Sequence, residues 1–151
     1  MTRSSDAALA WRALAREHDL PVQPPADAAA VADLAAECVV ALGAAPPPEY
    51  LDLLRDQDGG EVNGFRFFPT RAAPLLDGHG AVLPGLVDMN LAMREGGGLD
   101  EHVVLAEGSV CVRAFHPASG TFQELDRVSL DVVEVHDSLL EMMRAAIEAH
   151  R

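Results

Sequence analysis

The hydrophobic period of this chain changes from helical to alternating near residue 60, and that change most constrains the fold class it can adopt. Before it, apolar residues recur at helical spacing; beyond it they alternate, in short Val- and Phe-rich blocks bounded by glycine turns. Residues 5–18 place Trp11, Leu14, Ala15 and His18 on one helical face. Pro21, Pro24 and Pro25 end that helix by removing amide donors and fixing φ. A second stripe joins Val31, Leu34, Ala35, Cys38 and Leu42, with Gly43 in the position after a helix end. The prolines at 46–48 form a stiff connector, and Pro47 or Pro48 opens a third helix carrying Tyr50, Leu53 and Leu54 on one face. It stops at Asp58, Gly59 and Gly60.

The second half reads as strands. Phe65 and Phe67 alternate with Arg66 and Phe68 before Pro69, a short strand partly buried on both faces. Residues 70–84, punctuated by glycine and proline without a clean period, read as a loop. Residues 86–95 form a short helix ending at Gly96, Gly97 and Gly98, which read as a hinge or an irregular turn. A meander follows: a strand over 103–106, a second through Val110, Val112 and Ala114, a five-residue turn at 116–120, and a third over 121–125. Val128, Leu130 and Val132 carry apolar character on one face and Val133 and Val135 on the other, a slip that predicts a bulge or a change of surroundings. Ser138 and Glu141 have capping-box spacing and open a last helix with Leu139, Met142, Met143, Ala146 and Ile147 buried. The class is α+β, with N-terminal helices, an antiparallel meander and a covering C-terminal helix.

With 151 residues, 49% of them apolar, residues 1–151 make one domain that can bury about 70% of its unfolded surface without disulfides or a structural metal. Cys38 and Cys111 lie in apolar stretches and read as reduced core thiols. No apolar window reaches 18 residues, since 26–43 carries Asp27, Asp33 and Glu37. The first 19 residues contain no signal-peptide core, so the cytoplasm is the expected compartment. Acidic residues number 24 against 11 arginines and no lysine, for a net charge of -13. Such a field repels nucleic-acid phosphates and anionic membranes and draws in cationic partners.

Chemistry-bearing patterns are sparse. His18, His79, His102, His116, His136 and His150 are scattered with neither His-x3-His nor Cys-x2-Cys spacing, so neither a metal nor a cofactor is expected. Cys111 and His116, five residues apart along a strand, point in unrelated directions, and the glycine triplet lacks the lysine of a phosphate loop. No catalytic residue is assigned. Acidic neighbours occur at Asp56, Asp58 and Glu61 and at Asp100 and Glu101. These five are the candidate docking face for a basic protein, while a small hydrolase using Glu61 and Asp100 is a lesser alternative.

One stretch carries a wider pattern: Leu42, Gly43, then Pro47, Pro48, Glu49, Tyr50, Leu51, Asp52, Leu53, Leu54, then Asp58, Gly59, Gly60, then Asn63, Gly64. It resembles the signature of the SUKH superfamily, which includes Smi/Knr type cell-wall regulators, YrhA-like proteins and immunity proteins of polymorphic toxin systems. A proline run replaces the leucine before the family's proline, and Asp58 replaces the asparagine before its two glycines. The resemblance implies a SUKH-like fold that acts by binding proteins. It makes the expected role that of a non-enzymatic immunity protein neutralising a basic toxin, such as a nuclease, with a regulatory or housekeeping interaction module as the alternative.

Overall fold

The computed structural model describes residues 5–151. Among them, helix α1 (Asp6–Glu17) starts where the Ser5 hydroxyl accepts the amide of Ala8, and α2 (Ala28–Leu42) where the Asp27 carboxylate accepts that of Ala30. Gly43 ends α2 in the left-handed conformation at φ +84°. Helix α3 (Pro48–Asp56) carries proline in its first turn and buries Tyr50, Leu53 and Leu54. Trp11, Leu14 and Ala15 are buried as their spacing requires, but His18, one turn further on, is exposed at the frayed end.

The main sheet begins earlier than the change of period suggests. Strand β1 (Gly60–Val62) pairs antiparallel with β2 (Phe65–Phe67) across Asn63 and Gly64, whose φ values of +50° and +83° give the two-residue turn that suits a hairpin's twist. Within residues 70–84, Ala73–Pro74 (β3) and Val82–Leu83 (β4) form a small separate sheet rather than only loop. Helix α4 spans Leu86–Glu95. Strands β5 (Val103–Glu107), β6 (Cys111–His116), β7 (Thr121–Asp126) and β8 (Val132–His136) then complete an antiparallel sheet in the order β1-β2-β5-β6-β7-β8. The final helix, α5 (Leu139–His150), is capped by the Ser138 hydroxyl, which accepts the Glu141 amide. The fold is α+β.

The slip in the valine pattern is a bulge: Glu124 pairs with Glu134 but Leu125 with Val132. Val128 and Leu130 belong to the β7–β8 turn, not to a strand. There Asp126 accepts the amides of Ser129 and Val128, both at 2.9 Å, and these bonds hold its carboxyl below the usual range. Leu130 adopts a left-handed φ of +62° and covers Gly98 so closely that a Cβ there would fall 2.7 Å from Leu130 Cδ1. The last glycine of the triplet is thus a seat for a leucine.

One core joins the layers. Trp11 packs on Phe67 edge-on at 4.7 Å and on Phe65 at 5.3 Å, and Tyr50 meets Phe67 at 6.4 Å, favourable aromatic geometries. A Cβ on Gly60 would lie 2.8 Å from the Trp11 ring, so glycine is required where β1 crosses α1. Helix α1 also packs along α5, joining the two ends of the described chain.

Candidate functional site

The five acids read from the sequence separate into two kinds of position. Asp56 ends α3, and its Oδ2 accepts the Ser5 amide at 2.6 Å, anchoring the start of α1. Asp58 accepts the Thr70 amide at 2.7 Å and the Thr70 hydroxyl at 2.9 Å, clamping the turn into β1 against the chain leaving β2. Glu61 stands on β1 opposite Arg66 and lines a small crevice with Trp11 and Gln57. Asp100 and Glu101 are exposed in the turn before β5 and line a different groove, with Gly43, Arg94, His102 and His116. The first three thus stand at the corner between α3 and the sheet, whereas Asp100 and Glu101 face solvent beside α4.

The strongest concentration of buried charge lies elsewhere, on β6, β7 and β8. Burying a charge is costly unless it is paired, and here the register supplies the partners. Arg113 of β6 stands opposite Glu124 of β7 and donates from Nε to Oε1 at 2.9 Å, both side chains more than nine-tenths buried. The other oxygen, Oε2, lies 3.0 Å from Nε2 of His136 on β8. The guanidinium of Arg113 sits 5.1 Å over the Phe65 ring, which also stacks on His150 of α5 at 5.2 Å. Arg113 Nη1 is buried without a hydrogen-bond partner. A cavity of about 370 Å³ opens beside this cluster, lined by Cys111, Arg113, Glu124, Val133, Glu134 and His150 among others. A second buried carboxylate, Glu107, is held by Arg66 at 2.7 Å and approached by Arg127 at 3.5 Å.

Cys111 is half-buried rather than fully buried, and burial raises its thiol pKa, an effect partly opposed by Arg113. Cys111 and His116 occupy opposite ends of β6, about 17 Å apart at strand rise, and His116 is engaged with the Ser119 hydroxyl at 2.6 Å. The pair has no nucleophile–base geometry. Of the histidines, His150 is buried and His136 half-buried in ion-pair reach, environments that scattered spacing did not suggest. The signal for Arg113 and Glu124 was present: a 117–120 loop pairs His116 with Thr121, and counting back three residues puts them opposite. Glu134 and His136 lie past the bulge, where such counting loses register.

Strand β8 is also one of the two edges of the sheet, pairing only with β7. Its Val132, Val133 and Val135 are more than half exposed, and Val128 and Val110 extend the apolar surface at 94% and 66% exposure. Edge strands usually carry blunting features, because their free amides and carbonyls invite another strand. Here the blunting consists of the bulge and of the acids Asp131, Glu134 and Asp137, all exposed.

No protein-family model matches the chain, and no curated protein matches it either. Among the described residues, no helix is long and apolar enough to cross a membrane.

Proposed function

We propose that this chain is a non-enzymatic protein-binding domain of the SUKH-like immunity type, which captures a basic partner protein and blocks it by direct contact. The observation that carries the reading is the β8 edge, a strand paired on one side only, with valines on display and exposed acids beside them. Backbone groups on that edge can hydrogen-bond an extended segment of the partner, the valines can take its alternate apolar side chains, and Asp131, Glu134 and Asp137 select lysine or arginine beside them. The net charge of -13 favours a basic occupant and opposes pairing of two copies edge to edge. Asp100 and Glu101 contribute to the same field from a separate surface and act on encounter.

The test is to co-purify the chain with the products of its neighbouring genes, then map the contact by hydrogen exchange. The expected result is a basic toxin domain that loses activity in the complex and protects the amides of β8. Protection confined to the Asp100–Glu101 turn would move the docking surface there. A neighbourhood without any toxin, and a partner that keeps its activity when bound, would favour the regulatory module.

A further inference from the structure

We propose that Glu124, Glu134 and His136 form a binding site for a divalent transition-metal ion, with zinc as the best fit. The register places Glu134 directly across from Glu124, and His136, two residues further along β8, projects to the same face. One ligand atom from each of the three lies within 4.8 Å of the others. Like charges directly opposite on neighbouring strands destabilise a sheet, and Arg113 answers only one of these two. Glu134 has no ion-pair partner among the described residues. A cation between the strands removes that conflict.

The ligand chemistry narrows the ion. One imidazole nitrogen with two carboxylates is a mixed donor set that suits zinc, and manganese or iron less tightly, whereas magnesium and calcium prefer oxygen alone. Two of the three ligand atoms already stand close to the required separation. Ligand atoms around a tetrahedral zinc stand roughly 3.4 Å apart, and Glu124 Oε2 and His136 Nε2 are now 3.0 Å apart. Arg113 holds the other oxygen of Glu124, the second-layer contact that orients metal-binding carboxylates. Three protein ligands leave a coordination position to water, and Glu124 and Glu134 line the adjoining cavity from which it can enter. This site shares Glu134 with the docking edge but does not rest on the docking reading, because it is defined by the ligand atoms of β7 and β8 alone.

Isothermal titration of the full chain with zinc, manganese and magnesium chlorides tests the proposal. It should take up one zinc per chain, manganese more weakly and magnesium not measurably. Glu134→Gln, a change at an exposed position, and His136→Gln should each weaken zinc by about tenfold or more, while Asp33→Asn, at an exposed position of α2, leaves it unchanged. Zinc should also slow amide exchange in β8 of the unaltered protein, and not in Glu134→Gln. Absence of saturable zinc uptake overturns the site. Uptake that persists through both Glu134→Gln and His136→Gln overturns it equally, because the ion would then lie elsewhere.

Discussion

The Tyr50 hydroxyl donates to the Phe68 carbonyl across 2.5 Å and lies 3.1 Å from the carbonyl of Leu105, so one side chain of α3 ties the chain leaving β2 to β5. Leu105 is the residue at which the β5–β6 register shifts, and its carbonyl also accepts the Phe68 amide at 3.0 Å. The tyrosine thus serves the fold at a point where the sheet register breaks. Tyr50→Phe should cost about 1–3 kcal/mol by leaving the Phe68 carbonyl short of its donor. Tyr50→Ala should cost about 3–5 kcal/mol, the range for truncating a buried aromatic. Urea melts check both, and a loss under about 1 kcal/mol for the alanine variant would show that the ring is not a core anchor.

Alkaline pH should weaken the fold in two stages. Burial, reinforced by the charge of Glu37, pushes the Cys38 thiol up to about 12. Burial also holds the Tyr50 phenol well above its ordinary value. Both groups are kept neutral in the native state and ionise more readily when unfolded, so their contribution is complete below the unfolded pKa and is lost as pH rises toward the folded one. The decline should begin near pH 9, where an unfolded thiol ionises, and steepen above about pH 10 as tyrosine joins it. Urea midpoints across that range check the shape. Tyr50→Phe should remove the steeper part, and an unchanged slope would contradict the assignment.

Breaking the buried ion pair should be costly and replacing it should not. Arg113→Ala strands Glu124 in the interior with only His136 beside it, and should cost about 3–5 kcal/mol. Arg55→Ala, which removes an exposed pair with Asp52, should cost less than about 1 kcal/mol. The double change Arg113→Met with Glu124→Leu should recover most of the first loss. Thermal denaturation of the four proteins decides the matter, and equal losses for Arg113→Ala and Arg55→Ala would mean that the buried pair is solvated.

The acids divide into those the fold uses and those it leaves free. Asp58→Ala removes two acceptors from Thr70 and should cost about 1–3 kcal/mol. Asp100→Asn with Glu101→Gln should shift stability by no more than about 0.5 kcal/mol, as exposed substitutions do. Given a basic partner, the same double change should slow association and flatten its salt dependence without altering dissociation. Stopped-flow binding at two ionic strengths measures this, and an unchanged association rate would remove Asp100 and Glu101 from the encounter surface.

How far the sequence could be read followed from how local each signal is. Helix α4, the Ser138 cap and the buried face of α5 rest on residues within a few positions of one another, and the structure shows them where the pattern puts them. The β1–β2 hairpin escapes the hydrophobic pattern although Asn63–Gly64 is a strong short-range turn signal, because β1 has only three residues, begins on Gly60 and follows another glycine, Gly59. The β3–β4 pair is two residues long on each side and makes no periodic pattern at all. The Glu124, Glu134 and His136 cluster was illegible for another reason. Its members meet through a bulge, which displaces the pairing by one residue and cannot be counted from the turn.

Helix α1 lies along α5, with the Arg151 guanidinium 3.2 Å from the Glu17 carboxylate where the two helices end. During ribosomal synthesis α1 emerges first among these elements and α5 last, so the helix carrying Trp11 waits for its neighbour through the making of the entire sheet. No shorter nascent piece can close that seam. The contacts that seal it span nearly the whole described chain, which makes α5 the piece whose arrival completes the domain and whose loss by truncation would unseal it.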